Sequence, residues 1–134
     1  MKRAASEWVR KAEDDYRLAA TIAGGNEPFH DQLCFHCQQS AEKYLEAALE
    51  ELGQSIPRTH DLDHLLNLLQ PFHPTLRSLR RGLVFLTEFA VDTRYPGNRA
   101  TKRQSTSALR WAGRVRDACR AILGFSPPGR HQAR

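Results

Sequence analysis

Between Leu33 and Leu52 the apolar residues recur at intervals of three and four, the spacing that an α-helix gathers onto one side. Leu33, Cys34, Cys37, Ala41, Tyr44, Leu45, Ala48, Leu49 and Leu52 share that side, and His36, Gln39, Lys43, Glu46 and Glu50 fall together on the other. Phe35 lies beside His36 on the polar side, where an aromatic ring adds nothing to the helix's own core. It implies a second surface, a partner or a ligand, to bury against.

Similar patterns flank this stretch. A first helix is predicted from Ser6, as its cap, to about Ala23, with Trp8, Ala12, Tyr16 (or Asp15), Ala19 and Ile22 (or Ala23) at helical spacing and Gly24-Gly25-Asn26 as its stop. The second runs from near Asp31 to Gly53, a residue suited to a left-handed C-terminal cap. Thr59 is the expected N-cap of a third helix over His60 to Leu69. After a break at Pro71 and Pro74, Leu76, Leu79, Leu83, Leu86 and Ala90 form the seam of a fourth, in which Gly82 weakens the helical propensity.

Pro96 and Gly97-Asn98 make a loop of Asp92 to Thr101. A fifth helix from Lys102 to Leu123 then buries Ala108, Trp111, Val115, Cys119 and Ile122. No segment reads as a strand. Short connections between long amphipathic helices predict an all-α fold, an antiparallel bundle of four to five helices. One domain over residues 1–125 is expected, with a disordered tail at 126–134.

At 134 residues the chain supports a single core, and no apolar run has the length of a membrane span or the plan of a signal peptide, so the cytoplasm is the expected location. Three cysteines, an odd number, predict free thiols rather than a disulfide framework. Cys34-Phe-His-Cys37 invites a zinc reading, but the two thiols face the apolar side and His36 faces away, so converging ligands are absent. A redox role for the same pair lacks its βαβ setting. His60 and His64 stand four apart without the glutamate of a metalloprotease helix, and there is neither a phosphate-binding glycine loop nor a nucleophile elbow. No metal and no cofactor are expected.

Charge is divided unevenly: residues 1–52 carry a balance of −4 and residues 53–134 one of +9. The basic part calls for an anionic partner or ample solvent. Its most suggestive segment is Arg94-Tyr95-Pro96-Gly97-Asn98-Arg99, where guanidinium groups and an aromatic ring share a tight loop suited to phosphate and base recognition. Arg103, Arg110 and Arg114 extend the basic patch along one face of the fifth helix.

The ordered set Phe35-His36-Cys37-Gln38-Gln39-Ser40-Ala41-Glu42-Lys43-Tyr44-Leu45, Thr59-His60-Asp61-Leu62 with Leu65, and Arg94-Tyr95-Pro96 resembles the HEPN domain family, named for higher eukaryotes and prokaryotes nucleotide-binding, from about Trp8 to Leu123. The resemblance implies a homodimeric helical bundle, often paired with a small nucleotidyltransferase as a toxin and antitoxin or a split nucleotide-handling complex. Catalytic members of the family carry an Arg followed after four to six residues by His, a metal-independent ribonuclease site. Here the positions where that histidine should follow Arg94 hold Arg99, Ala100 and Thr101. Arg58 precedes His64 at a comparable spacing, but in the wrong part of the fold.

Without that histidine the usual proton carrier is missing, and binding survives its loss more readily than catalysis. The expected activity is nucleotide or RNA binding by Arg94, Tyr95, Arg99, His36, Gln39 and Lys43, with a homodimer and a nucleotidyltransferase partner. Two alternatives remain: a ribonuclease toxin using Arg94 with His36 or His60, and a structural dimerisation subunit without nucleotide binding.

Overall fold

The computed structural model describes residues 1–91 and 95–125. Among them are five α-helices: α1 (Arg3–Gly24), α2 (His30–Glu51), α3 (Leu62–Leu69), α4 (Arg80–Thr87) and α5 (Lys102–Ile122). No strand occurs among the described residues, so the fold is all-α. The expected loop residues Asp92, Thr93 and Arg94 and the expected tail at 126–134 lie outside the described residues.

α2 is the axis of the bundle and packs against α1, α3, α4 and α5. Its burial therefore extends well beyond one stripe, taking in Gln38, Ser40, Glu42 and Glu46 as well as the apolar set. Glu46, expected on the polar side, is only 6% exposed. The core around it is built mainly of leucines from α3, the Pro74–Leu79 turn and α4, with Tyr44, Leu45 and Leu49 of α2 fully buried.

α1 approaches through small residues. Ala5, Ala12 and Ala19, seven apart on one face, are fully buried and Val9 is nearly so, while Trp8, Tyr16 and Ile22 cover the flanks. Ser6 does not cap this helix: α1 begins at Arg3, its N-cap is Lys2, and no side chain caps it. The Lys2 backbone N–H instead donates to Glu51 Oε1 at 2.8 Å, joining the start of α1 to the end of α2.

Three other boundaries differ from expectation. Asp61, not Thr59, caps α3 by accepting from the Asp63 N–H, and Thr59 Oγ1 accepts from the Asp61 N–H one step earlier. The fourth apolar seam is divided into 3₁₀ turns at Pro74–Leu79 and Glu88–Ala90 around a short α4, because proline at the first turn and close packing tighten the backbone. Gly82 is required by packing, since Trp111 of α5 sits on its face where a Cβ would be. Gly53, by contrast, takes the expected left-handed conformation at φ 73°.

Candidate functional site

Polar groups enclosed by apolar helices need partners; on α2 most find them in three clusters, while Ser40 Oγ has none among the described residues. In the first, Asp15 of α1 receives both His36 Nδ1 at 2.8 Å and Lys43 Nζ at 2.5 Å. His36 and Lys43, seven residues apart on α2, are thus engaged in joining the two helices. Phe35 packs edge-to-face against the His36 ring, which covers part of its apolar surface.

In the second cluster Gln39 Nε2 donates to Gln38 Oε1 at 2.7 Å, and Gln38 Nε2 donates to Glu42 Oε1 at 2.9 Å. His60 Nδ1 meets the same Glu42 oxygen at 2.9 Å, while its ring remains largely exposed. The third cluster is centred on Glu13. Arg116 grips it in a fork, Nε to Oε1 at 2.7 Å and Nη2 to Oε2 at 2.8 Å, and the Tyr44 hydroxyl donates to Oε1 at 2.5 Å. Burial alone would raise the Glu13 carboxyl, but these hydrogen bonds with the charges of Arg116 and Arg120 outweigh it and leave the group below the usual range.

Tyr95 and Arg99 stand apart from these clusters. Tyr95 is 61% exposed, Arg99 is exposed, and neither side chain bonds to another described residue. Their loop nevertheless meets α2 at one point, where the Ala100 N–H donates to Asp31 Oδ1 at 2.6 Å. His30 Nδ1 lies 3.1 Å from Ser105 Oγ just beyond. The loop thus approaches the N-terminal turn of α2, while His36, Gln39 and Lys43 follow further along the helix.

Sequence reasoning missed two concavities. A groove of about 820 Å³ runs between the end of α1, the start of α2 and α5. Ile22, Leu33 and Leu109 give it an apolar floor, Tyr16 closes one wall, and Lys102, Arg110 and Arg114 stand along the α5 side. These three cations make no ion pair with a described carboxylate, although Glu27 and Asp117 also border the groove. Arg114 rests over the Trp111 ring at 4.4 Å. The sequence signal was the arginine spacing on α5, while the apolar floor depends on how three helices meet.

The second concavity, about 440 Å³, opens between Trp8, Glu42, Glu46 and the 56–60 connection. Burial pushes the Glu46 carboxyl up to about 7, the Glu42 charge adds to the effect, and Lys43 and His60 oppose it. The folded chain therefore holds a proton that the unfolded chain gives up from about pH 4.5 onward, so this group's contribution to stability falls as pH rises from there to about 7. Water at the open side of the cleft moderates the effect. Glu46→Gln is expected to stabilise the fold by about 1 kcal/mol at pH 8 and by little at pH 4.5, read by urea denaturation. Equal effects at the two pH values would contradict the shift.

Cys34, Cys37 and Cys119 are buried free thiols. Burial pushes Cys34 and Cys119 up to about 12 and raises Cys37 further, so none is a ready nucleophile. Among the described residues no group of three or more His, Cys, Asp or Glu is placed to hold a metal ion.

A family model for the HEPN domain matches residues 5–122. The chain belongs to the HEPN domain family. Two solved structures share this HEPN fold. An archaeal HEPN homologue, ST0689, superposes with a TM-score of 0.71 at 24% identity, covering 92% of this chain and 99% of its own. TT1696 from Thermus thermophilus superposes with a TM-score of 0.77 at 23% identity, covering 90% of this chain and 98% of its own. The search of curated proteins gave no match.

In this HEPN domain the positions following Arg94, where a catalytic histidine was sought, serve the entry into α5. The Ala100 N–H is held by Asp31, and Thr101 forms a capping box with Gln104: its hydroxyl accepts from the Gln104 N–H, and Gln104 Oε1 accepts from the Thr101 N–H. No helix among the described residues is long and apolar enough to cross a membrane.

Proposed function

We propose that this HEPN domain binds nucleotide or RNA through phosphate contacts, and that its principal contact surface is the α5 groove. The carrying observation is the set of Lys102, Arg110 and Arg114 on one wall, without carboxylate partners, above an apolar floor that suits a base. Arg103 is exposed on the same helix, and Tyr95 and Arg99 on the adjoining loop add an exposed ring and a further cation. Arg94 belongs to that loop by sequence and is assigned to the same ligand. His36, Gln39 and Lys43 have a supporting part: Asp15 pairs with the Lys43 ammonium and hydrogen-bonds the His36 ring, and Gln39 is tied to Gln38.

ATP and a short single-stranded RNA titrated at several salt concentrations test the proposal. Affinity should fall with salt, and the double variant Arg110→Ala, Arg114→Ala should bind RNA about tenfold more weakly, with a salt slope smaller by roughly 1.4, near 0.7 per lost phosphate contact. Undiminished binding by this variant would remove the groove from the site. Absence of binding by either ligand at low salt would favour a structural dimerisation subunit instead.

The domain works, in this proposal, as a homodimer beside a small nucleotidyltransferase, including as a toxin and antitoxin pair; family membership is what supports that assembly. A monomer mass by light scattering at all concentrations would overturn the dimer. The ribonuclease alternative has weaker support. His36 is committed to Asp15, and the cleft at His60 is lined by two carboxylates, which repel a phosphodiester.

A further inference from the structure

We infer that the cleft beside Trp8 is a binding site for an organic cation, an ammonium or guanidinium head group, separate from the basic groove on α5. Glu42 and Glu46, one helical turn apart on α2, supply its negative side, and Trp8 of α1 with Ile56 and Pro57 supplies its apolar walls. Glu42 is already engaged through Oε1 by Gln38 and His60. Glu46 is the group without a counterpart: it is only 6% exposed, lines the cleft, and makes no hydrogen bond or ion pair to any described residue. Its oxygens are not among the fully buried unpartnered atoms, so they open onto the cleft, where a ligand's donor can reach them.

The form of the cleft selects the donor. A hydrated metal ion needs several converging ligands, which the described residues do not provide here, and gains nothing from an indole wall. An ammonium or guanidinium group can hydrogen-bond Glu46 while its charge or alkyl stem rests against Trp8, the ring that attracts cations most strongly. Nearby cations do not fill the role. Lys43 is held by Asp15, His60 by Glu42, and Arg58, exposed on the same cleft, pairs with neither carboxylate.

Because burial and Glu42 raise the Glu46 carboxyl while Lys43 and His60 lower it, a proton competes with the cation near neutrality. Affinity should therefore rise between pH 6 and 8. Two sources can bring the same head group, a free small molecule or an arginine or lysine side chain of a partner protein.

Calorimetric titration of the full chain with arginine amide, spermidine and an alanine pentapeptide carrying a central arginine tests the site at pH 6 and pH 8. Wild type should bind at least one of these probes, at least about fivefold more tightly at pH 8, and Glu46→Gln should lose about tenfold in affinity together with the pH dependence. Equal binding of arginine amide and peptide assigns the cation to a small molecule, whereas a clear preference for the peptide assigns it to a protein segment. No binding to wild type at millimolar probe, or binding unchanged by Glu46→Gln, would overturn the inference. Circular dichroism of the variant, which retains the shape and removes only the charge, confirms that any loss is local.

Discussion

Glu13→Ala is expected to lower the unfolding free energy by about 2 kcal/mol at pH 7, between the values for exposed and for buried ion pairs, since the Glu13–Arg116 pair is partly buried. Three groups converge on this carboxylate: the Arg116 fork, the Tyr44 hydroxyl and, at 4.0 Å, Arg120. Removing it leaves Arg120 without its anion and Arg116 with only Asp117 at 3.4 Å, and it takes the acceptor from the hydroxyl of the fully buried Tyr44, which keeps only the contact from Arg120 Nη1 at 3.4 Å. Arg120 Nε already has no partner, so the loss cannot be absorbed locally without rearrangement.

The effect has a definite pH signature. Because the folded Glu13 carboxyl lies below its ordinary value of 4.5, its contribution is complete above that value and is lost as pH falls through the folded one. Urea denaturation of wild type and variant from pH 7 to pH 3 should therefore show the gap narrowing on acidification. A gap under about 1 kcal/mol at pH 7 would show that the arginines find solvent at little cost.

Gly82→Ala is expected to destabilise the chain by about 2 kcal/mol, or roughly 8 °C in Tm. Helical propensity alone argues the opposite, since alanine improves on glycine inside an exposed helix by about 1 kcal/mol. Packing decides against propensity. A Cβ at position 82 would overlap Cε3 and Cδ2 of Trp111, and the obstacle is a rigid ring rather than the free end of a flexible side chain. Thermal unfolding followed by circular dichroism distinguishes the two effects. A Tm equal to or above wild type would mean that the indole moves aside and propensity prevails.

Much of the architecture was legible because it depends on local periodicity. The three-and-four spacing of Leu33 to Leu52 specified α2, and the break before Lys102 placed the start of α5. Boundaries set by competing caps were less legible: both Thr59 and Asp61 can accept from a nearby N–H, and only the packed conformation gives the helix start to Asp61. The family, too, could be recognised from ordered short motifs, each of them weak alone.

The candidate site was legible only in part, because sequence gives a side chain's direction from its own helix but not what stands opposite. His36 and Lys43 were correctly assigned to one side of α2, yet Asp15, from another helix, determines how they are used. Glu46 shows the same limit more sharply. Its position by periodicity is polar, yet it is buried, facing a cleft that Trp8 and the 56–60 connection also line. The groove on α5 likewise combines an arginine spacing visible in the sequence with a floor that exists only once Ile22, Leu33 and Leu109 meet.

The alanines of α1 carry a consequence for how the molecule comes apart. A helix whose closest approach runs through Ala5, Ala12 and Ala19 is held on its flanks by Val9, Trp8, Tyr16 and Ile22 and joined to its neighbours by the carboxylates of Glu13, Asp15 and Glu51. α1 is thus a strip fastened in part by charge, and the Glu13 carboxylate, held below its ordinary range, gives up that part of the fastening as acid protonates it.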